Sequence, residues 1–344
     1  MQQVVISKHG APGVLEHMVY DDIEPEAGEV RIKVAFVGVN FADIMARMGL
    51  YPAAPPPPCV VGYEVSGTIE AVGEGVDDLA VGTEVCALTR FGGYSSKLCV
   101  PRDFVVEIPR GMRLDVAAAL PVQYLTAYFA LHDLANLKPN ETVLIHAAAG
   151  GVGLAAVELA RHRKARILGT ASPRKHEMLE DLGVHHPIDY RNQDYEEVVR
   201  SICPEGVDIV LDPLGGPNWQ KNRRLLRPFG RHVMYGVSHL AAGRTKRSLL
   251  RVLSTFGTMK KLSPVALMQK SHSALGLNLL ALADDPGSHG RIQDALEHLM
   301  TLFVEHVIDP RVDVIFPFSE AHLAHKYIQD RKNLGKVLLV PDPD

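Results

Sequence analysis

The sequence predicts an α/β protein with one mostly β region and one region built on a doubly wound parallel sheet. The chain has 344 residues, which corresponds to roughly two domains of about 150 residues each. Short β-rich runs separated by glycines fill the first 120 residues. From Thr142 onward, strand-like and helix-like runs alternate at the spacing that is typical of a parallel sheet covered by helices.

The N-terminal region is predicted to be an irregular β domain. Residues 30–39 alternate polar and apolar side chains at their start, and residues 65–72 and 84–88 are β-rich and bounded by glycines. The prolines at 55–58 must be extended and cannot join a central ladder, because they have no N–H to donate. The uncharged stretch 116–131 falls short of a membrane span and predicts a helix buried at a domain junction.

The second region repeats the order of strand and helix. Residues 142–149 (TVLIHAAA) predict a buried strand, which a glycine turn and an apolar helix through Arg161 follow. Residues 166–171 predict the next strand, and residues 173–182 predict a helix that ends at Gly183. The other predicted elements are a strand at 207–212, a helix around 222–226, a strand at 231–237, a helix from 291, a strand at 312–316, a further helix and a strand at 336–340.

Charge balance and cysteine usage exclude several classes of protein. Lys and Arg total 36 against 40 Asp and Glu, a formal charge of −4, whereas a protein that mainly binds nucleic acid carries a large positive excess. The four scattered cysteines indicate free thiols in a reducing compartment, and neither a disulfide framework nor a thiolate zinc site. The opening MQQVVISKHG lacks a signal-peptide pattern, so we expect a soluble, cytoplasmic protein.

A glycine turn between a strand and a helix is the motif that points to chemistry. Ala148, Gly150 and Gly153, with Gly151 added, follow the strand at 142–149 and precede an apolar helix. Such glycines let the backbone approach a pyrophosphate, and the helix N-terminus offers free N–H groups and the positive end of its dipole. This context favours a dinucleotide site over the alternative, which is an ordinary tight turn.

The turn after the second strand indicates which dinucleotide binds. An NAD site normally places Asp or Glu about twenty residues after the glycines, where it binds the ribose 2′-hydroxyl. This sequence has Ser172, Arg174 and Lys175 there and no acid, which suits the 2′-phosphate of NADP. The alternative is an ordinary N-cap followed by solvated basic residues.

These motifs resemble the medium-chain dehydrogenase/reductase superfamily over nearly the whole chain. The resemblance rests on GVNFADIMARMGLY at 38–51, GYEVSGTIEAVGEGV at 62–76, AAAGGVGLAAVELA at 147–160 and NLGKVLLV at 333–340. Within the superfamily the chain is similar to the NADPH:quinone oxidoreductase branch. It is most similar to the vesicle amine transport protein (synaptic vesicle membrane protein homologue) subfamily, on the stretches YLTAYFAL, GTASPRKHEMLEDLGVHHPIDY and DIVLDPLGG.

The chain departs from the zinc-dependent members that it resembles. It has Asn40 where they hold zinc with a cysteine, and Tyr63 where they use the histidine of a GHE motif. It has only Cys99 between residues 90 and 113, where they carry four close cysteines for a structural zinc. Because zinc needs three or four soft or imidazole ligands, we expect a zinc-free protein.

The resemblance implies a discontinuous GroES-like catalytic domain and a Rossmann nucleotide domain. The catalytic domain is expected at residues 1–123 and 283–344, and the nucleotide domain at 124–282. For each tyrosine that the resemblance places at the cofactor, the alternative is a half-buried packing residue. The implied NADPH-binding residues are Tyr51, Thr126 and Asn333 at the nicotinamide half, Ala149, Gly150, Gly151 and Val152 at the pyrophosphate, Ser172, Lys175 and Tyr190 near the adenosine phosphate, and Gly216, Tyr235, Gly236 and Val237 at the remaining edge.

A nicotinamide cofactor supplies hydride transfer, and the protein supplies position and electrostatics. Without zinc to polarise a simple ketone, quinones and α,β-unsaturated carbonyls are the easier acceptors, because conjugation spreads the developing charge. We therefore expect an NADPH-dependent, zinc-independent reductase. Asn40 is the first candidate polar donor and Tyr51 the second. The alternative role of Asn40 is to hold the loop at Phe41 through backbone hydrogen bonds.

The alternative function is that of a membrane-peripheral interaction or regulatory protein. Such a protein would keep the reductase fold with little catalytic use. It is motivated by the basic segment 244–270, which suits an anionic membrane surface. A flap beside the cofactor or a solvated helix is the other interpretation of this segment. Four apolar residues in it have helical spacing: Leu249, Val252, Leu253 and Phe256.

Two further expectations concern the protein surface. The apolar stretch 274–281 is expected at the edge of the nucleotide sheet, where it would pair with a second copy in a homodimer. His322 and His325 are three residues apart on a predicted surface helix, which indicates solvated histidines more than a metal site. No GxSxG elbow and no HExxH motif supports another catalytic class.

Overall fold

The computed structural model describes residues 1–241, 255, 257, 259 and 262–343. These residues divide into two compact units. Unit 1 contains Met1–Leu125 and residues 279–343, and unit 2 contains residues 126–241 and the described residues between 255 and 278. Part of the basic segment, including Leu249, Val252, Leu253 and Phe256, lies outside the described residues.

The strands and helices are numbered in chain order. The strands are β1 (Gln2–Ile6), β2 (Leu15–Val19), β3 (Glu29–Val39), β4 (Cys59–Val60), β5 (Glu64–Val72), β6 (Glu84–Leu88), β7 (Lys97–Pro101), β8 (Val105–Glu107), β9 (Thr142–Ile145), β10 (Arg166–Ala171), β11 (His186–Asp189), β12 (Val207–Asp212), β13 (Leu226–Met234), β14 (Ser273–Gly276), β15 (Val312–Pro317) and β16 (Lys336–Val340). The helices are α1 (Phe41–Arg47), α2 (Leu114–Ala117), α3 (Pro121–Tyr128), α4 (Gly151–His162), α5 (His176–Asp181), α6 (Tyr195–Ile202), α7 (Asn218–Arg224), α8 (Pro264–Lys270), α9 (Leu279–Ala283), α10 (His289–Val304) and α11 (Ala321–Gln329).

Unit 1 is built on a mostly antiparallel sheet in the order β15-β16-β3-β5-β6-β8, with β7 also paired to β3. The C-terminal strand β16 lies beside β3, with Leu338 opposite Gly38. On the other side of β3, Val37 pairs with Val65 at the start of β5. The same end of three neighbouring strands therefore carries the residue after β3 and the first residues of β5 and β16. A smaller sheet has the order β2-β1-β4.

Unit 2 contains a parallel sheet in the order β11-β10-β9-β12-β13-β14. The chain runs outward from β9 to β11 on one side and from β12 to β14 on the other. The order reverses between β9 and β12, and sheets of this kind bind ligands outside the carboxyl ends of the strands at such a point. The doubly wound parallel sheet that the sequence predicts is confirmed.

Several predicted boundaries are shifted in the structure. Strand β9 ends at Ile145 and not at Ala149, because Ala147 already turns with a φ of 52°. Strand β13 begins at Leu226 and ends at Met234, where residues 231–237 were expected. Helix α7 begins at Asn218, four residues before the expected start at residue 222. The helix predicted from 173 begins as a short 3-10 turn, with Pro173 at its first position.

The expectation that His322 and His325 are both solvated is wrong for His325. This side chain is completely buried, and its Nε2 lies 2.9 Å from the hydroxyl of Tyr94. Burial, with the charge of Arg47 nearby, lowers the pKa of His325 well below its ordinary value. The histidine is therefore a neutral core residue that joins α11 to the strand region of unit 1.

Two other expectations concern exposure to solvent and to lipid. Among the described residues, no helix is both long and apolar enough to cross a membrane. The four thiols are free, and all of them are buried or half-buried, as the sequence predicts: Cys59, Cys86, Cys99 and Cys203.

Candidate functional site

Strand β9 and helix α4 meet in a tight glycine turn in unit 2. A Cβ atom on Gly153 would lie 2.3 Å from the carbonyl oxygen of Ala147 and 2.6 Å from that of Ala148. Only glycine therefore lets the helix begin this close to the strand. The first N–H groups of α4, from Gly151, have no acceptor within the helix. The turn presents these donors and the positive dipole end at the carboxyl edge of the sheet.

The ends of β10 and β11 lie beside this turn and bring several predicted residues together. Ala171 and Asp189, the last residues of the two strands, are paired in the parallel ladder. Ser172 and Tyr190 therefore follow neighbouring strands at one edge of the sheet.

The charged groups around this edge have different exposures. Lys175 is buried with Ser172, whereas Arg174 is exposed. The Asp189 carboxylate accepts hydrogen bonds from the Arg191 N–H at 3.0 Å and from the Asn192 amide at 2.6 Å. It is therefore engaged in its own turn, and the segment from Ser172 to Lys175 contains no carboxylate.

The loop after β12 is shaped by glycines and by Asp212. Gly215 and Gly216 have φ values of 60° and 61°, a conformation that favours glycine. The Asp212 Oδ1 atom accepts a hydrogen bond from the Gly215 N–H at 3.0 Å, and the Asp212 carbonyl accepts one from the Tyr235 N–H at 3.1 Å. Residues 235–237 therefore lie beside the Gly216 loop at the same edge of the sheet.

Unit 1 holds a buried cluster of Asn40, Glu64 and Lys336 where β3, β5 and β16 lie side by side. Lys336 Nζ donates to Asn40 Oδ1 at 2.9 Å and also to Glu64 Oε1. Asn40 Nδ2 donates to Glu64 Oε1 at 2.7 Å and to the carbonyl of Gly38 at 3.3 Å. Glu64 Oε2 accepts from the Val122 N–H at 2.7 Å. Both amide hydrogens of Asn40 are thus engaged, and an ammonium neutralises the buried carboxylate.

Asp43 is a second buried carboxylate in unit 1. Its Oδ2 atom accepts from the Asn40 N–H at 2.7 Å, and its Oδ1 atom accepts from the Gly62 N–H at 2.9 Å. These bonds cap α1 and fix the turn that precedes Tyr63. Burial raises the pKa of Asp43 to about 7, although the two N–H donors and the charge of Lys336 act in the opposite direction.

Tyr51 lies in an aromatic cluster of unit 1 with Tyr63 and Phe91. The rings of Tyr51 and Tyr63 are 6.2 Å apart at 82°, and those of Tyr63 and Phe91 are 5.4 Å apart. Tyr51 is half-buried, and burial raises the pKa of its hydroxyl, so it keeps its proton at neutral pH. Asn333, which is also in this unit and is predicted to bind the nicotinamide half, donates to the Gly335 carbonyl at 3.0 Å.

The pairing of Glu64 with Lys336 and the role of Asp43 are not evident from the sequence. Glu64 and Lys336 are 272 residues apart, so no local pattern indicates their contact. The one available signal is that each is a charged residue at the start of an apolar strand.

Comparison with known proteins places the fold in a family. A model described as alcohol dehydrogenase GroES-like domain matches residues 26–110, and one described as zinc-binding dehydrogenase matches residues 182–339. The human synaptic vesicle membrane protein VAT-1 homolog is 41% identical over 93% of this chain and 81% of its own length. The chain belongs to the medium-chain dehydrogenase/reductase superfamily. The predicted GroES-like and Rossmann parts are confirmed.

Two other relatives are enzymes by name. The 2-haloacrylate reductase of Burkholderia sp. is 35% identical over 98% of this chain and 98% of its own. The crystal structure of Escherichia coli quinone oxidoreductase complexed with NADPH has a TM-score of 0.87 and is 28% identical, covering 99% of this chain and 100% of the other.

At the two positions where zinc-dependent members have a cysteine and a histidine ligand, this chain has Asn40 and Tyr63. Asn40 uses its amide in the cluster with Glu64 and Lys336, and burial raises the pKa of the Tyr63 hydroxyl, which therefore stays protonated. Across the residues that the structure describes, no three His, Cys, Asp or Glu side chains are grouped so that they could hold a metal ion. These groups do not form the thiolate and imidazole set that zinc prefers.

The close approach at Gly153 predicts a loss of stability on adding a methyl group. We expect Gly153→Ala to lower the free energy of unfolding by about 1–3 kcal/mol, because its Cβ must displace two carbonyl groups. Gly290→Ala is the control, since nothing lies within 4 Å of its added Cβ in helix α10, and it should not destabilise the protein. Urea denaturation measures both, and equal stability of Gly153→Ala and wild type would contradict the geometry.

The buried ion pair predicts that replacing Lys336 alone destabilises the protein far more than replacing Lys336 and Glu64 together. Lys336→Met leaves the Glu64 carboxylate buried without a cation, so we expect it to lower the free energy of unfolding by about 3–5 kcal/mol. The double variant Lys336→Met with Glu64→Gln removes the unpaired charge and should recover most of this loss. Chemical denaturation tests both, and a Lys336→Met variant within 1 kcal/mol of wild type would show that the pair is not buried as described.

Proposed function

We propose that this chain is an NADPH-dependent, zinc-independent reductase that transfers a hydride to a quinone or an α,β-unsaturated carbonyl. The observation that supports this most directly is the carboxyl edge of the unit 2 sheet. There the glycine turn before α4, the segment 172–175 and the Gly216 loop follow adjacent parallel strands. Binding at this edge is typical of doubly wound sheets. The NADPH complex of the E. coli relative supports the same cofactor.

The residues at this edge fit a phosphorylated dinucleotide. The N–H groups at the start of α4 suit the pyrophosphate, since the missing Cβ at Gly153 leaves room for the close turn. Ser172, Arg174 and Lys175 supply a hydroxyl and two cations for a 2′-phosphate, with Tyr190 beside them on the next strand. When bound, the reduced nicotinamide supplies the hydride.

The side chains of Asn40 and Tyr63 support the proposal of zinc independence. An amide that is already hydrogen-bonded and a protonated phenol are poor substitutes for thiolate and imidazole. An acceptor that needs little polarisation suits such a site, and conjugated carbonyls meet this condition because their charge is delocalised. The named substrate of the Burkholderia relative, a 2-haloacrylate, is also conjugated.

Tyr51 is the stronger of the two proposed polar donors. Its hydroxyl is protonated at neutral pH, and no hydrogen bond joins it to another described residue. Both amide hydrogens of Asn40 are engaged, so Asn40 would act by holding Glu64 and Lys336 in place. The proton that completes reduction of the acceptor would come from solvent.

Cofactor preference tests the proposal. We expect purified enzyme to oxidise NADPH with a panel of quinones and enones, with no stoichiometric zinc by metal analysis. Arg174→Ala should raise the KM for NADPH roughly tenfold to a hundredfold, through loss of a charge-assisted bond, and leave the KM for NADH unchanged. Arg110→Ala, another exposed arginine but in unit 1, is the control. A wild-type preference for NADH, or stoichiometric zinc, would refute the proposal as stated.

Assembly and localisation are further parts of the proposal. Strand β14 is at the edge of the described unit 2 sheet, so its free side could pair with a second copy. We propose a cytoplasmic homodimer that forms along this edge.

The chain matches proteins named for synaptic vesicle membranes, which keeps a peripheral membrane role as the second candidate function.

Exposed apolar residues favour testing that second candidate. Val265 and Met268 on helix α8 are 56% and 72% exposed, and Lys270 follows them on the same helix. If this surface binds anionic lipid, the protein should co-sediment with phosphatidylserine vesicles at low salt and be released at high salt. Met268→Asp should then weaken the binding. Absence of salt-sensitive binding would exclude the membrane role for this surface.

A further inference from the structure

A buried chain of polar side chains crosses the sheet of unit 2 beneath its carboxyl edge. It joins the ends of three neighbouring strands, β10, β9 and β12, and passes through helix α7. Each member is at most 2% exposed. None of them is among the residues predicted to touch the cofactor. In spatial order the members are Thr170, His146, Asn222 and Asp212.

The contacts along this chain are all within hydrogen-bond distance. The Ala147 N–H donates to Thr170 Oγ1 at 3.2 Å, and Thr170 Oγ1 lies 3.1 Å from His146 Nδ1. His146 Nε2 lies 2.8 Å from Asn222 Oδ1. Asn222 Nδ2 donates to Asp212 Oδ2 at 3.0 Å. The chain therefore begins at the glycine turn and ends at a carboxylate.

The chemistry of the groups fixes the direction of every bond. Asn222 Oδ1 can only accept, so His146 must carry its proton on Nε2. Burial lowers the pKa of His146, so the ring is neutral and its Nδ1 atom accepts from the Thr170 hydroxyl. Thr170 Oγ1 in turn accepts from the Ala147 N–H. Loss of the Thr170 hydroxyl would therefore leave His146 Nδ1 without its donor and the Ala147 N–H without its acceptor. Asn222 Oδ1 is held more firmly, because it also accepts from the Tyr195 hydroxyl at 2.9 Å.

Asp212 connects this chain to the loop after β12. Its Oδ1 atom accepts from the N–H groups of Leu214 and Gly215 at 2.8 and 3.0 Å, and His232 Nε2 lies 3.0 Å from its Oδ2 atom. Burial opposes ionisation, but the hydrogen bond and charge of His232 lower the pKa of Asp212 to about 2. The carboxylate is therefore ionised at neutral pH and accepts all of these donors.

We propose that Thr170, His146, Asn222 and Asp212 are positioning residues that set the spacing between the glycine turn at 147–153 and the Gly215–Gly216 loop, and through it the affinity for NADPH. The proposal rests on the proposed function, since it assumes that both loops contact the cofactor. Rigid spacing matters because a dinucleotide must satisfy donors on separate strand ends at the same time.

The test compares Thr170→Val, which removes the hydroxyl at nearly constant shape, with Thr170→Ser, which keeps it. Trp219, the single tryptophan, is buried in unit 2 and its ring lies 4.7 Å from that of His232. Titration with NADPH while its fluorescence is recorded would give the dissociation constant without turnover. We expect Thr170→Val to raise this constant about tenfold and Thr170→Ser to stay within twofold of wild type.

A matched control separates positioning from general destabilisation. Thr89 is also buried and its hydroxyl donates to the Gly62 carbonyl at 2.9 Å, but it lies in unit 1. Thr89→Val should lower the melting temperature as Thr170→Val does and leave the NADPH dissociation constant unchanged. Asp212→Asn is the second test, because its amide would oppose the donors of Asn222 and His232 and should weaken NADPH binding further.

The outcomes are distinct. If wild type quenches with NADPH and both Thr170→Val and Asp212→Asn bind NADPH within twofold of wild type, the positioning role is wrong and the proposed function stands. If Thr89→Val weakens binding as much as Thr170→Val, the effect is general destabilisation and the positioning role is again wrong. If wild type binds no NADPH, the proposed function fails and this proposal fails with it.

Discussion

The carboxyl edge of the unit 2 sheet, where we propose that the dinucleotide binds, depends on how closely helix α4 approaches strand β9. The approach is possible only because residue 153 has no side chain, since a Cβ atom there would overlap the carbonyl groups of the preceding turn. It places unpaired N–H groups and the positive helix end level with the ends of β10 and β12. The loops after those strands can then act on one ligand. The buried polar chain beneath them keeps their spacing.

Unit 1 holds a different kind of polar cluster, in which a buried carboxylate is paired with the ammonium of a buried lysine. Lys336, Glu64 and Asn40 satisfy one another where three strands lie side by side. A buried pair of this kind stabilises little by itself, but loss of one partner is costly. In the proposed function, the Tyr51 hydroxyl is the polar group of this unit that a substrate would meet. Such a group suits an acceptor whose own conjugation spreads charge.

Local sequence patterns predict several strands of the fold with their exact boundaries. Strands β10, β12 and β16 begin and end where the sequence predicts, because each is a short apolar run with clear polar or glycine limits. Strand β9 ends early because the turn needs a positive φ at Ala147. The sequence does not indicate this, since alanine rarely adopts a positive φ. The burial of His325 and the partner of Lys336 depend on chain segments that are distant in sequence. Asp212 combines the local N–H groups of Leu214 and Gly215 with side chains from α7 and β13, and the sequence does not indicate those side-chain partners. The individual cofactor contacts and the exact domain boundaries stay predictions.

Hydrogen exchange in the presence of NADPH tests the central claim most directly. Mass spectrometry of the wild-type chain, with and without NADPH, reports which backbone N–H groups the cofactor protects. The account predicts slower exchange in the peptides that contain the start of α4 and the segment 172–175, and a smaller effect with NADH at 172–175. Unchanged exchange at both segments, at a concentration of NADPH that saturates turnover, would contradict it.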